Sequence, residues 1–210
     1  MRSMRLLLAS LFILGAAVAQ AEPTTLVIDQ GHSQVDFSIR HFFSRVHGRF
    51  NEFEGTIVYD DKDASKSSVD VTIKAASINT NQDRRDADLR SSNFFAVDSF
   101  PNLTFKSTKV TPNGEGKLKV EGDLTMRGIT HPVTLDASLL GIGPAGPNGK
   151  ITGWEASTTI NRKDYNIVWN RTLDQGGTML GDDVAITLNI EARTPRPPGA
   201  PGGPPPTPKK

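Results

Sequence analysis

SINTNQDRRDADLRSSNFFAVDSFPNLTF, residues 77–105, is the stretch that breaks an otherwise regular alternation, and the rest of the chain reads as a wall built around it. From about Asn81 it turns helical. Asn79, Thr80 and Asn81 each offer a side chain able to cap a first turn, and Asp83 places a carboxylate where the helix dipole favours one. Arg84 and Asp88 stand four apart, in register to pair along the helix. Leu89, Phe94 and Phe95 add apolar groups, and Ser99-Phe100-Pro101 stops the element, because a residue before proline is pushed out of the helical region. The reading is a short helix with an apolar end, inserted between strands.

Outward from this stretch, period-two alternation dominates. Val35, Phe37 and Ile39 point one way, and Gln34, Asp36, Ser38 and Arg40 the other. The same pattern runs through Val69/Val71/Ile73, Leu118/Val120, Leu124/Met126, Val133/Leu135/Ala137/Leu139, Ala156/Thr158/Ile160 and Val184/Ile186/Leu188/Ile190. Turn chemistry separates these runs at Asp60-Asp61-Lys62-Asp63, Pro112-Asn113-Gly114, Arg127-Gly128 and the span Gly141 to Gly149. About eight or nine short-connected strands imply an antiparallel barrel or sandwich. Phe50 and Phe53 cannot share a face of a regular strand, so a bulge is expected near Asn51-Glu52.

Several motifs stand in a telling order. Ser77-Ile78-Asn79-Thr80 is followed by Arg85-Asp86-x-x-Leu89-Arg90-Ser91, then Phe94-Phe95 and Phe100-Pro101-x-Leu103-x-Phe105. Outside the stretch stand His32-Ser33-x-Val35-x-Phe37-x-Ile39, Gly48-x-Phe50-x-x-Phe53-x-Gly55, the run Gly122 to Val133 and Leu180-Gly181-Asp182-Asp183-Val184. Together they resemble the YceI-like family of periplasmic, lipocalin-like β-barrels that bind polyisoprenoid or similar long-chain lipids. The resemblance covers about residues 24 to 192. The chain departs from it at Asp88, where a histidine is expected, at Asn93 and Ala96, where acids are, and at Asn166, where glycine is. Alternation alone does not choose barrel over sandwich. The resemblance does, implying an all-β fold: a closed antiparallel lipocalin-like barrel of about eight strands with one short inserted helix. It also implies a homodimer and, in place of a cofactor, a bound lipid.

The ends carry different information. In residues 1–21, Arg2 and Arg5 precede the apolar run Leu6 to Val18, and Ala19-Gln20-Ala21 is a small-x-small cleavage site, so the segment reads as a secretory signal peptide and the destination as the periplasm. A retained anchor is the competing reading. The lipocalin-like domain is expected over 22–192, and 193–210 as a disordered tail: from Thr194 onward it holds eight prolines and three glycines and cannot bury a core. With no cysteine in 210 residues, neither a disulfide nor a lipid on cysteine is available. Removing the six cations of the two ends leaves 18 Lys and Arg against 23 acids, a core near −5, which argues against nucleic acid as a partner.

A barrel of this size either fills with side chains or holds one small ligand. Aromatic residues crowd two segments, and the resemblance makes them a ligand cavity: Phe37, Ile39, Phe42, Phe43, Phe50, Phe53, Ile78, Leu89, Phe94, Phe95, Phe100 and Phe105, with Trp169 at core or rim. Ordinary core packing competes with that reading. For a polar head, Arg40 to Arg49, RHFFSRVHGR, holds three arginines, two histidines and no acid, and on a strand Arg45, His47 and Arg49 share one face. A solvent-facing basic strand is the alternative. Arg84, Arg85 and Arg90 are weaker candidates, neutralised by Asp83, Asp86 and Asp88.

No catalytic constellation is legible. Ser33 and His32 lie on opposite faces of a strand, and His32, His41, His47 and His131 lack zinc-site spacing, though His41 and His47 would meet if the chain bent between them. Asp60-Asp61-x-Asp63 lacks the glycine and distal glutamate of a calcium loop. The expectation is therefore neither an enzyme nor a metal protein. It is a periplasmic lipid-binding protein that holds an isoprenoid, quinone or fatty-acid derivative for transport or storage, touching a membrane surface transiently. A packed barrel serving as a secreted interaction or stress-protective protein is the alternative.

Overall fold

In the computed structural model, which describes residues 23–146, 149–174 and 176–195, the alternating runs become one antiparallel sheet. Its strands are β1 (Thr24–Ile28), β2 (Gln34–His41), β3 (Ser44–Phe50), β4 (Phe53–Tyr59), β5 (Ser68–Lys74), β6 (Ile78–Asn79), β7 (Asn102–Pro112), β8 (Lys117–Met126), β9 (Ile129–Pro144), β10 (Lys150–Asn161) and β11 (Leu180–Arg193). β1, β4, β5, β7, β8, β9, β10 and β11 pair in that order, and β1 returns to β11 through Val27↔Arg193 and Ile28↔Ala192. The ring closes, so the choice of barrel over sandwich holds. The signal peptide at 1–21 and the tail from 196 lie outside the described residues.

β2, β3 and β6 continue from β11 as a second tier: β2 pairs with β11, β3 with β2 and β6 with β3. Each prolongs a strand of the ring. β1 passes through a 3-10 turn (Gln30–His32) into β2, β3 passes through Asn51-Glu52 into β4, and β5 passes through a 3-10 turn (Ala75–Ser77) into β6. The three breaks lie side by side. Gln30 Nε2 donates to Asn51 O (2.5 Å) and Asn51 N to Ser77 O (3.1 Å). The two residues of the middle break let Phe50 and Phe53 both face inward, so the expected bulge is a corner shared by three strands.

At the other side of the second tier the ladder stops: β7 pairs with β5 and β8, and β6 has β3 as its partner. The helix α1 (Asp83–Arg90) and the turns after it fill that gap. The helix starts slightly later than expected. Asn81 is in the left-handed region (φ 58°), Asn79 Oδ1 accepts from Asn81 N, and Thr80 Oγ1 bonds Asp86, so the cap falls to Gln82, whose Oε1 accepts from Arg85 N at 2.5 Å. No ion pair joins Arg84 to Asp88 among the described residues. The glycine-rich span is also shorter as a turn, because β9 runs on through Gly141 and Gly143 to Pro144.

Two glycines set the bore. A Cβ on Gly48 would lie 2.4 Å from the Phe37 ring, and one on Gly122 would lie 2.5 Å from Phe105, so each ring lies flat across a neighbouring strand. At the base, Tyr59 meets Trp154 edge to face (centroids 5.0 Å apart), and Trp154 Nε1 donates to Thr152 Oγ1 (2.9 Å), which donates to Ala192 O (3.1 Å). The base is tightly packed, with Leu26 and Ala192 fully buried.

Candidate functional site

Inward-facing positions of the barrel leave a cavity of about 960 Å³. Along its length the wall is aliphatic and aromatic, from Trp154, Tyr59 and Val69 at the base through Leu188, Ile186 and Leu135 to Leu89 and Trp169 at the mouth. Polar side chains gather at the mouth, where Gln82, Arg84, Arg85 and Asp88 of the α1 segment line it. Phe37, Ile39, Phe50, Phe53, Leu89, Phe94, Phe95, Phe105 and Trp169 all line the cavity. Their rings form two runs: Phe37, Phe50 and Phe95 in sequence (5.8 and 5.7 Å between centroids), and Phe94 against Trp169 (5.4 Å).

Four expected lining residues lie elsewhere. Ile78 is fully buried in the wall behind the cavity, and Phe100 packs on the β8–β9 turn, where a Cβ on Gly128 would be 2.8 Å from its ring. Phe42 and Phe43 form the β2–β3 turn, Phe42 at φ 50° and Phe43 fully exposed. The three residues expected to hold a headgroup do not line the cavity either. Val46 and Phe50 line the cavity, so Arg45, His47 and Arg49 at the alternate positions face outward. His41 lines the mouth while His47 points away from it, so the two do not meet. The cations that do border the cavity are Arg84 and Arg85, which local acids had made weaker candidates, and Arg162.

Arginines also hold the mouth in place. Arg90, which does not line the cavity, donates from Nε to Ala76 O and from Nη2 to Ile78 O (2.7 Å each), standing in for the strand that β6 lacks. Arg85 donates to Thr80 Oγ1 and Thr80 O (2.7 and 2.8 Å), and buried Asp86 accepts from Thr80 N (2.9 Å) and Thr80 Oγ1. From the β8–β9 turn, Arg127 donates to Ser92 O (2.9 Å), Phe94 O (2.8 Å) and Asn166 O (3.0 Å), tying the turns after α1 to the loop that carries Trp169. Asn166 takes φ 58°, a left-handed position that asparagine tolerates where glycine was expected.

Arg162, 3% exposed, donates to Ile167 O (2.6 Å), Trp169 O (2.8 Å) and Gly181 O (2.9 Å) and pairs with Asp182 (3.2 Å). Burial lowers its pKa from the usual arginine value, against the pull of Asp182. Lys163, through its 2.8 Å bond, and Arg162 hold the Asp182 carboxyl below the ordinary carboxylate range. Next to this node Tyr165 is buried with no protein partner for its hydroxyl, its pKa pushed up to about 12 by burial and then by Asp164. Sequence spacing carried no sign that Arg127 and Arg162 reach these carbonyls.

Little here supports catalysis or a metal. Among the described residues no serine or threonine hydroxyl bonds a histidine ring; Ser44 Oγ reaches only the backbone oxygen of His41 (3.2 Å). Asp29, His32 and Glu191 bring ligand atoms within 4.8 Å of one another, but Arg193 pairs with both acids, and the cluster reads as an ion-pair knot between β1 and β11.

The model of the YceI-like domain matches residues 26–192. Protein YceI of Salmonella arizonae is 40% identical over 184 residues, covering 86% of this chain and 91% of that one. A UPF0312 protein of Staphylococcus aureus is 39% identical over 170 residues, covering 80% and 96%. Among solved structures, the YCEI protein of Campylobacter jejuni superposes with a TM-score of 0.66 at 28% identity, covering 73% of this chain and 88% of that one. A polyisoprenoid binding domain from Saccharophagus degradans shares the fold, with a TM-score of 0.57 at 14% identity, covering 83% and 100%.

Proposed function

Because the chain belongs to the YceI-like family, we propose that it is a lipid-binding protein that holds one long-chain amphiphile in its barrel, a polyisoprenoid, quinone or fatty-acid derivative, for transport or storage in the periplasm. The observation that carries this reading is the cavity of about 960 Å³, apolar along its length and polar at the mouth. Left dry, a lumen of this size would deprive its whole apolar lining of packing partners. Water is a poor filling, since each buried molecule needs about two to four polar partners. An alkyl or isoprenoid chain needs none and gains about 0.8 kcal/mol per buried methylene. The unfilled volume also counts against the packed-barrel alternative.

The head would then rest at the mouth among Gln82, Arg84, Arg85 and Asp88, a set that both donates and accepts. A hydroxyl, a quinone carbonyl or a carboxylate suits it. Binding is favoured by an apolar lumen in which, among the described residues, no serine or threonine hydroxyl bonds a histidine ring. The test is mass spectrometry of the intact protein and of its solvent extract after purification from the cells that make it, with one stoichiometric long-chain lipid expected. Ala156→Trp, which places an indole inside the lumen, should remove that lipid while the protein stays folded. A lipid-free wild type that takes up no chain from solution would sink the reading.

A further inference from the structure

The β2–β3 hairpin carries features that the cavity does not use. Its tip is aromatic and bare: Phe43 is fully exposed, and Phe42 is held at φ 50°, a conformation rarely imposed on a bulky residue without cause. The outer face beneath the tip is cationic. Arg40 stands directly opposite Arg45 in the ladder and Ser38 opposite His47, with Arg49 one pair further down beside Asp36. Arg40 turns its guanidinium to Phe42 O and Thr178 O (3.2 Å each) and Arg45 donates to Ser38 Oγ (3.2 Å), so the two like charges are held apart, and with five N–H donors on each guanidinium both keep donors for an anion lying over the face. Of the acids at this end, Asp83, Asp88 and Asp174 belong to α1 and the loop before β11, Asp182 is paired with Arg162 and Lys163, and exposed Asp183 lies on β11 beside the level of Arg40, while within the hairpin no acid lies between Phe37 and Phe50.

The hairpin is also part of the mouth. On its inner face His41 and Val46 line the cavity, and Phe42 N donates to Met179 O (2.8 Å) while Met179 N donates to Arg171 O (2.9 Å). Exposed Val168 (56%) stands three residues before Arg171. An apolar tip above a cationic hairpin face, at the opening of an apolar lumen, matches a bilayer with anionic headgroups: rings enter the interface while guanidinium groups meet phosphates.

We propose that this hairpin docks the mouth onto an anionic membrane surface, so that lipid passes between bilayer and lumen without crossing water. The purpose, though not the docking, rests on the lipid-holding reading above. Sedimentation of the purified protein with vesicles tests it. Phosphatidylcholine vesicles containing phosphatidylglycerol should pull the protein down, and pure phosphatidylcholine vesicles should do so far less. Phe43→Ser should weaken partition roughly tenfold, since one ring no longer enters the interface. Arg45→Gln with Arg49→Gln should weaken it about 25-fold, at about fivefold per cation. These side chains are exposed and outside the cavity, so each variant should load geranylgeraniol supplied in solution as well as the wild type. Equal binding to neutral and anionic vesicles, or undiminished binding by Phe43→Ser, overturns the proposal. A wild type that sediments with anionic vesicles yet loads no geranylgeraniol leaves docking standing and removes the lipid-holding reading instead.

Discussion

From β7 to β11 the wall is a continuous ladder, ten to sixteen residues per strand, with register shifts only at Ser107/Lys109 and Gly153/Trp154, and its backbone groups are paired by the neighbouring strand. From β1 to β6 the strands are two to eight residues long, break at one level, and end at a gap where guanidinium groups of Arg85, Arg90, Arg127 and Arg162 supply the donors that a strand would have supplied. The difference shows how a barrel opens a mouth without leaving carbonyls unsatisfied. A strand edge demands a partner along its whole length, whereas an arginine reaches two or three oxygens from one point and leaves the surrounding space to apolar side chains. The base is built for closure and the mouth for access, and the two should fail under different insults.

Arg162→Met should show the largest effect. It strands three carbonyls and half of the Asp182 pairing, at a cost of about 3–5 kcal/mol in urea or thermal unfolding. A loss under ~1 kcal/mol would mean that the mouth is held by packing and not by that guanidinium. Arg127→Ala should cost about 2 kcal/mol, and its signature is regional. Hydrogen exchange should quicken from Leu89 to Val97 and stay unchanged from Val133 to Leu139. Uniform acceleration would erase the proposed distinction between halves, while a bound lipid should slow the first segment and spare the second.

Tyr165→Phe should go the other way, adding about 1 kcal/mol by removing a buried hydroxyl that no protein group satisfies. The phenol also has a pH signature. Its folded pKa, about 12, lies above the ordinary 10.0, so its contribution is complete below pH 10 and lost as pH rises from there towards 12; the phenylalanine variant should lack that alkaline decline. The smallest effect is expected at the base. Backbone N–H groups of Lys62 and Asp63 hold the Asp60 carboxyl below its ordinary 3.8, so its stabilisation is present above that pH and fades as pH falls through the lower folded value. Acid titration of Asp60→Asn by circular dichroism should show a shallower decline than wild type.

The same divide explains what could be read from sequence. Val133, Leu135, Ala137 and Leu139 alternate over a long strand, and so do Val184, Ile186, Leu188 and Ile190, which is why that half was legible. β1 and β6, with five and two residues, are too short for alternation to accumulate, and β3, though as long as β5, has a glycine at one of its inward positions between Val46 and Phe50. Parity places the expected headgroup residues: Phe50 is buried on the inward face, so Arg49, His47 and Arg45, at alternate positions, face away from the lumen. The straps were invisible for another reason. Arg127 and its acceptor Phe94 O are 33 residues apart and meet only because β8 returns beside the gap.

A lumen of about 960 Å³ also has a mechanical consequence. Hydrostatic pressure favours whichever state occupies less volume, and unfolding an unloaded barrel eliminates internal space that unfolding a loaded one does not. A ligand filling that lumen would then act as a strut. Compression should collapse the empty protein at pressures that the filled one withstands, so the pressure of half-unfolding reads occupancy directly, without a label and without naming the lipid.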